Sequence, residues 1–331
     1  MDIKGFRNFA EEKEFERNVI DASIKNIQDF NHFLQKSKKD IDSASYDDFY
    51  EYSAHLISTR TNTPDNYLGI LRYGYFRKKN DLIIAAMEVL DGSEVFANLS
   101  QRLIDEFGED MRDTIFKGID LPPLGLQPMK KPAYMKKVLQ RLEEKVGTAQ
   151  CAQFLNKGLR DKYEEWRRPD REKYLRSKNI DAFLEDKRRN FITELEKHCK
   201  EKTLFFTQEI TKEVLEYVRK DSHIATGVRD GNTIIITKIP HMAKEYLQET
   251  DEQKKRYFYC HCPWVKEAFR ESTKPLSHVF CNCSAGYFKA YWEIVLGQPV
   301  EVEVLESLLT GASRCQFAVH LPEDVVRTVA K

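Results

Sequence analysis

Hydrophobic side chains recur at helical spacing along the chain as far as residue 220. Between Phe9 and Leu34 the apolar positions are three or four residues apart on a charged background, which predicts an amphipathic helix. Pro64 lies in the turn cluster 61–66, where it is placed to open the next helix. Residues 82–87 are apolar on every side, which is typical of a helix buried all round. The proline-rich stretch 120–132 cannot continue a helix and indicates a loop or a domain seam.

Two charged helices are predicted after this seam, over residues 133–146 and 163–202, the second interrupted at Pro169. The second carries the basic groups Arg167-Arg168 and Lys187-Arg188-Arg189 among acidic residues. A surface of mixed sign is usually only solvated, so phosphate or nucleic-acid binding is the less favoured alternative for these groups.

The pattern changes to strand-like runs at Ser222. Residues 224–228 and 233–239 are rich in β-branched side chains and are joined across 229–232, which predicts a β-hairpin. Residues 285–296 form a clear amphipathic helix that Gly297 ends, and two further strands are predicted at 299–304 and 315–320. The predicted fold is therefore α+β. A helical region (1–125) and a helical connecting segment (126–221) precede an antiparallel-sheet domain of ligand-binding type (222–331).

Composition narrows the class of protein. The 331 residues are 41% hydrophobic and 32% charged, which is typical of a soluble globular chain long enough for two domains. Basic and acidic residues balance at 53 each, so we expect no nucleic-acid partner. No apolar run approaches the ~18 residues that span a bilayer, and the polar N-terminus lacks the apolar core of a signal peptide. We therefore expect a cytoplasmic protein without a membrane partner.

The cysteines are the candidate chemistry. Five of the seven lie in the last third of the chain, at Cys260, Cys262, Cys281, Cys283 and Cys315. Both Cys-x-Cys pairs lie in short apolar and aromatic runs that we predict to be strands, in which alternation places both cysteines on one face and His261 on the other. Two such strands side by side would gather four thiols, and Cys315 would supply a fifth.

In a reducing cytosol, clustered cysteines more often hold a metal or do chemistry than form disulfides. A sulfur-rich set favours zinc, with an iron–sulfur cluster as the alternative. A redox or nucleophilic thiol and plain packing also stay open. The isolated Cys151 and Cys199 are predicted to be packing residues.

Aromatic side chains crowd the same region. At helical or strand spacing most aromatics are core residues, but some could line an apolar pocket in which a few polar groups orient a ligand. The candidate ligand-binding residues are Tyr259, Trp264, Tyr287, Tyr291 and Trp292.

The segment from Cys281 to Phe317 resembles a known family. It contains Gly286-Tyr287-Phe288, a helix ending at Gly297, Glu306-Ser307, Gly311 and Cys315-Gln316-Phe317. This is similar to the C-terminal signature of the 4-vinyl reductase-type, or hydrocarbon-binding, small-molecule domain, which is also the sensor module of phenol- and toluene-responsive activators. The resemblance covers roughly residues 200–325. The doubled Cys-x-Cys is similar to L-2-amino-thiazoline-4-carboxylic acid hydrolase-like bacterial proteins.

The resemblance implies a zinc site that this chain has altered. In the sensor members an upstream cysteine and a Glu-x-x-Cys-x7-Cys run hold zinc. The matching positions here are Cys281, Val304, Ser307 and Cys315. A serine hydroxyl is a poor zinc ligand compared with a thiolate, so the added cysteines would replace the lost ligands.

These observations imply a cytosolic protein that binds a small aromatic, hydrocarbon or lipid-like molecule and carries a cysteine-rich metal site. The helical N-terminal region would then signal or form a homodimer. The alternative is a hydrolase that acts on a small sulfur- or nitrogen-containing ring through a cysteine thiolate or a metal-activated water.

Overall fold

The computed structural model describes residues 1–270 and 276–327. Contacts divide the chain into two compact units. The first comprises Met1–Ser93 with Leu121–Lys131, and the second comprises Glu94–Asp120 with Pro132–Lys331. The three segments predicted from the sequence follow changes in composition along the chain, whereas these units follow contacts in space.

The first unit is helical. Its helices are α1 (Ile3–Glu12), α2 (Arg17–Gln35), α3 (Tyr46–Ser58), α4 (Pro64–Arg77) and α5 (Asn80–Leu90). Pro64 occupies the first turn of α4, as the turn cluster predicted, because the missing N–H of proline costs nothing there. Phe30, Phe49, Tyr67 and Tyr73 lie in its core, all with side chains out of contact with water.

Helices also dominate the first half of the second unit. They are α6 (Val95–Phe107), α7 (Glu109–Phe116), α8 (Lys131–Val146), α9 (Thr148–Asn156), α10 (Glu164–Arg176), α11 (Ile180–Glu201) and α12 (Lys212–Lys220). The predicted interruption at Pro169 is wrong, because that residue lies inside α10. The break falls instead before α11, where the Asn179 side chain accepts a hydrogen bond from the Ala182 N–H and caps the new helix. Two-residue strands β1 (Leu204–Phe205) and β2 (Gln208–Glu209) form a small hairpin before α12.

A four-stranded antiparallel sheet follows. Its strands are β3 (Val228–Asp230), β4 (Thr233–Thr237), β5 (Glu301–Glu306) and β6 (Gln316–His320), in the spatial order β3-β4-β6-β5. The remaining helices are α13 (Ala243–Gln248), α14 (Glu252–Tyr259), α15 (Asn282–Leu296) and α16 (Glu323–Arg327). The α+β class and a hairpin across Gly231 and Asn232 are therefore confirmed, but the first strand of that hairpin is Val228–Asp230 and not the predicted 224–228. None of the helices in the described part of the chain combines the length and apolar character that crossing a bilayer requires.

Helix α15 packs against the sheet. Trp292 and Val295 belong to the same buried cluster as Ile236, Phe317 and Val319. Gly297 ends the helix in the left-handed region, at φ 75°, as the sequence predicted.

The predicted cysteine-bearing strands are wrong. Cys260 and Cys262 follow the end of α14, outside any strand, and Cys281 ends a 3-10 turn that leads into α15, which contains Cys283. The Asp251 side chain accepts a hydrogen bond from the Lys254 N–H and so starts a helix that runs through the aromatic residues before Cys260. Short apolar runs fit a helix or a strand equally well, and capping decides between them here.

Candidate metal centre

The five clustered cysteines come together at one end of the sheet. Residue Thr237 at the end of β4 and residue Glu306 at the end of β5 both pair with Gln316 at the start of β6. The residues just beyond these ends are Lys238, Ser307 and Cys315.

Hydrogen bonds attach the other cysteine segments to this end. The Lys238 N–H donates to the Cys315 carbonyl at 3.0 Å, and the Tyr259 hydroxyl donates to the Lys238 carbonyl at 2.6 Å. Cys260 is thereby held next to β4. The Lys238 ammonium donates to the Ser284 hydroxyl at 3.1 Å, which brings in the start of α15 with Cys281 and Cys283.

The thiols are close enough to influence one another's ionisation. Burial raises the pKa of the Cys260 thiol well above its usual value, and the charges of Cys262, Cys315 and Cys281 raise it further. Burial, with the charges of Cys283 and Cys281, raises the pKa of Cys262 to about 12. The pKa of Cys281 is likewise raised to about 12, by burial and then by Cys315. All five therefore form one electrostatic group, which we call the thiol cluster.

A backbone N–H also lies near each sulfur of the thiol cluster and influences its pKa. Burial is the largest influence on every one of these pKa values, and a backbone N–H opposes it by lowering the pKa. The donors are Cys262 for Cys260, Trp264 for Cys262, Leu309 for Cys281, Leu159 for Cys283 and Leu308 for Cys315. An N–H group that points at a sulfur stabilises the thiolate over the thiol. The backbone thus offsets part of the effect of burial on these thiols, but their pKa values stay raised.

Positive charge is concentrated at the same place. The Lys238 ammonium opposes the effect of burial by lowering the pKa of Cys262, Cys281, Cys283 and Cys315. Cys281 is the N-cap of α15 and Cys283 lies in its first turn, where the helix dipole favours negative charge. Ser307, at the position where the resembling family has a zinc-binding cysteine, is 1% exposed, and its buried hydroxyl has no hydrogen-bond partner among the described residues, although it lowers the pKa of the nearby Cys281 thiol.

The donor chemistry fits a soft metal, although the thiols are not yet in coordination geometry. In residues 1–270 and 276–327, no three His, Cys, Asp or Glu side chains stand in an arrangement that could hold a metal ion. Cys260 and Cys283 are buried, while Cys262, Cys281 and Cys315 are partly exposed. Metal binding would therefore need the sulfurs to move closer together than they lie here.

The candidate ligand-binding aromatics fall in three different places. Tyr259 and Trp264 are buried in the cluster that also contains Cys260 and Cys283. Trp292 is fully buried in the sheet-side core, edge-on to Phe183. Tyr287 and Tyr291 lie instead next to a basic group on α10. Their role in ligand binding stays a prediction.

Two residues beside the thiol cluster escaped the sequence analysis. Lys238 carried no signal beyond its position near the end of the predicted strand 233–239. His241 lies with its ring 5.1 Å from that of His261, and burial, with the charges of Lys266 and Lys238, lowers its pKa to about 3. The His261 imidazole is hydrogen-bonded to the Ile239 carbonyl, so its orientation is set by this contact and not by strand alternation.

Comparison with known proteins found one family model that matches part of this chain. Residues 237–326 match a family model described as a family of unknown function, DUF6144. The matched segment contains Lys238 and every residue of the thiol cluster. It leaves out Leu159, whose N–H faces Cys283. Searches of curated proteins and of solved structures each found no match.

Proposed function

We propose that this protein holds a zinc ion on the sulfurs of its thiol cluster, within a domain that binds a small apolar or aromatic molecule. The observation that carries the metal proposal is the convergence of five sulfurs, each facing a backbone N–H, at a sheet end that also carries the Lys238 ammonium. Hydrogen bonds to ligating sulfur are the outer support that metal–thiolate sites use.

Thiols with raised pKa values could still bind zinc as thiolates. A buried thiol keeps its proton at neutral pH, whereas a metal ion displaces the proton and balances the negative charge of the sulfur. Four of the five sulfurs suffice for a closed tetrahedral site, which is the form that stabilises a fold. Cys281 and Cys315 are the ligands that the family resemblance assigns, and two of Cys260, Cys262 and Cys283 would complete the four.

The small-molecule part of the proposal rests on the resemblance to hydrocarbon-binding domains. The alternative, a hydrolase with a cysteine nucleophile, is less well supported. A thiol whose pKa burial has raised to about 12 is almost entirely protonated at neutral pH, and the thiolate is the nucleophile.

Elemental analysis together with native mass spectrometry tests both parts in one preparation. We expect about one zinc per chain in protein purified without chelator under anaerobic conditions, and a mass increment from a co-purifying apolar molecule. Cys281→Ser and Cys315→Ser should each lose the metal. Cys151→Ser is the control, because Cys151 is fully buried among apolar residues and is expected to leave the metal content unchanged.

Protein free of zinc and iron would contradict the metal proposal. An absorbance band in the visible range, with iron and sulfide present, would replace zinc by an iron–sulfur cluster. If the protein contains metal but no co-purifying molecule, the metal proposal stands and the ligand-binding proposal loses its support.

A further inference from the structure

A second polar cluster lies where α10 packs against α15. The Lys187 ammonium of α11 donates to Asp170 Oδ2 at 3.1 Å and to the Tyr291 hydroxyl at 2.6 Å. The Tyr291 hydroxyl donates in turn to Asp170 Oδ2 at 2.7 Å. Lys173 lies 3.6 Å from the other oxygen of Asp170. The single carboxylate is therefore shared between two ammonium groups and a hydroxyl.

Arg167 adds a further positive charge to this cluster, one that has no counter-ion. Its side chain is only 7% exposed, and its buried Nη1 has no hydrogen-bond acceptor among the residues that the structure describes. No carboxylate of the described chain forms an ion pair with it. Its contacts are with the rings of Tyr287 and Tyr291, whose centroids lie 4.9 Å and 5.9 Å from the guanidinium carbon.

These ring contacts do not satisfy the N–H donors of the guanidinium. A cation above an aromatic ring is attracted by the π face, but the N–H groups of arginine point outward in the guanidinium plane and need acceptors. A buried cation without a counter-charge is strongly unfavourable. The sequence favoured a solvated surface for Arg167-Arg168, and this holds for Arg168, which is exposed, but not for Arg167.

The remaining groups define what would complete the cluster. The partner must carry negative charge, because Arg167, Lys173 and Lys187 bring three positive charges against the one carboxylate of Asp170. It must also offer two acceptors in one plane, which match the fork of a guanidinium. Tyr287 is 44% exposed, so the cluster borders solvent on the side of this ring and is accessible to a small solute.

We propose that Arg167, flanked by Tyr287 and Tyr291 and supported by Lys187, binds an oxyanion group of a small molecule, either a carboxylate or a phosphate. Arg167 is the residue that contacts the anion. Tyr287 and Tyr291 hold the guanidinium plane from its faces. Asp170 positions Lys187 and keeps it from turning away. The proposal does not depend on the thiol cluster or its metal.

Titration of the full-length protein with inorganic phosphate and, separately, with acetate tests the site. A reference titration with a chloride salt matches the ionic strength of each anion titration. The readouts are the melting temperature and the heat of binding. We expect a saturable rise in melting temperature with at least one of the two anions, because a solute that binds the folded state stabilises it by mass action. A response to phosphate alone or to acetate alone identifies the chemical source of the oxyanion.

Two variants and one control separate the site from general ionic effects. Arg167→Met should weaken the Kd for the anion at least tenfold. Arg168→Met removes the same charge at the exposed neighbouring position and should leave the Kd unchanged. Arg167→Lys keeps the positive charge but lacks the paired N–H donors of the guanidinium, so it should also weaken binding about tenfold. Its circular dichroism spectrum should match that of the wild type. This variant tests the proposal if Arg167→Met does not fold.

Several outcomes would overturn the proposal. These are no saturable effect of either anion on the wild-type protein, equal affinity in Arg167→Met or Arg167→Lys, or equal weakening by Arg168→Met. The last result would assign the effect to the net charge of α10.

Discussion

Asp48 illustrates how one buried carboxylate fixes the beginning of a helix. Its side chain accepts hydrogen bonds from the Ser45 N–H at 2.9 Å, the Ser45 hydroxyl at 2.8 Å and the Lys39 ammonium at 2.7 Å. Burial raises the pKa of this carboxyl, but the hydrogen bonds from Lys39 and Ser45 more than compensate, so that the pKa lies below its ordinary value. Asp48 therefore stays charged at the start of α3, where the helix dipole also favours an anion.

Asp48→Asn should lower the free energy of unfolding by roughly 1–3 kcal/mol at pH 7, because an amide cannot replace both the ion pair and the capping box. The pKa in the folded state lies below the value of 3.8 expected for an unfolded chain, so this stabilisation is complete above that pH and disappears as the pH falls through the folded-state pKa. Urea denaturation of wild type and variant between pH 7 and pH 2 measures both effects. The exposed neighbour provides the control, since Asp47→Asn should change stability by less than about 1 kcal/mol. Equal losses from both substitutions would contradict the role given to Asp48.

At the scale of elements, the crossing of α15 with the end of α9 depends on two glycines. A Cβ atom at Gly286 would lie 2.3 Å from the Gly158 nitrogen and 2.6 Å from the Asn156 carbonyl oxygen. Gly158 itself adopts a positive φ of 78°. Leu159, whose N–H faces Cys283, follows directly. The close approach of these two segments thus sets the distance between the thiol cluster and α9.

Gly286→Ala should destabilise the protein by about 1–3 kcal/mol, since the new methyl group meets backbone atoms that cannot move aside as a side chain can. Helix propensity alone gives the opposite sign, because alanine is favoured over glycine inside a helix by about 1 kcal/mol. Equilibrium unfolding in urea distinguishes the two effects by the sign of the change. A stabilised variant would show that the backbones of α9 and α15 separate at little cost.

At the scale of the whole molecule, the core that surrounds the thiol cluster is built from distant parts of the chain. Leu99, Leu139 and Phe154, from α6, α8 and α9, belong to the same buried cluster as Trp264 and Phe280. The ring centroid of Phe96 lies 4.5 Å from that of Trp264. The family match at 237–326 therefore covers the sulfurs but omits the residues from Val95 to Leu159 that lie in the same buried cluster.

A fragment of residues 222–331 is therefore expected not to form a cooperative fold, although the sequence suggests a domain boundary near Ser222. Its exposed apolar surface should bind the dye ANS, and its thermal transition by circular dichroism should be broad or absent. The full-length chain is the control and should show a sharp transition with little dye binding. A fragment that melts cooperatively would show that the sheet and α15 form a core that is sufficient by itself.

The sequence determined the features that depend on neighbours along the chain. Helix α15 with its glycine stop, the start of α4 at Pro64 and the hairpin of β3 with β4 were all predictable, because periodicity, proline placement and turn residues act locally. The antiparallel sheet followed from the same reasoning. The concentration of five cysteines in the last third of the chain could also be read directly.

Tertiary structure decided what the sequence left ambiguous. The aromatic runs before Cys260 and Cys281 fit a strand as well as a helix, and neither became a strand; capping by Asp251 starts the helix before Cys260. Arg167 and Arg168 are adjacent and chemically identical in the sequence, yet only one is buried, because α15 covers a single side of α10. Burial is set by contacts between distant segments, which no local pattern specifies, and it determines both the raised pKa of the clustered thiols and the unpaired charge of Arg167.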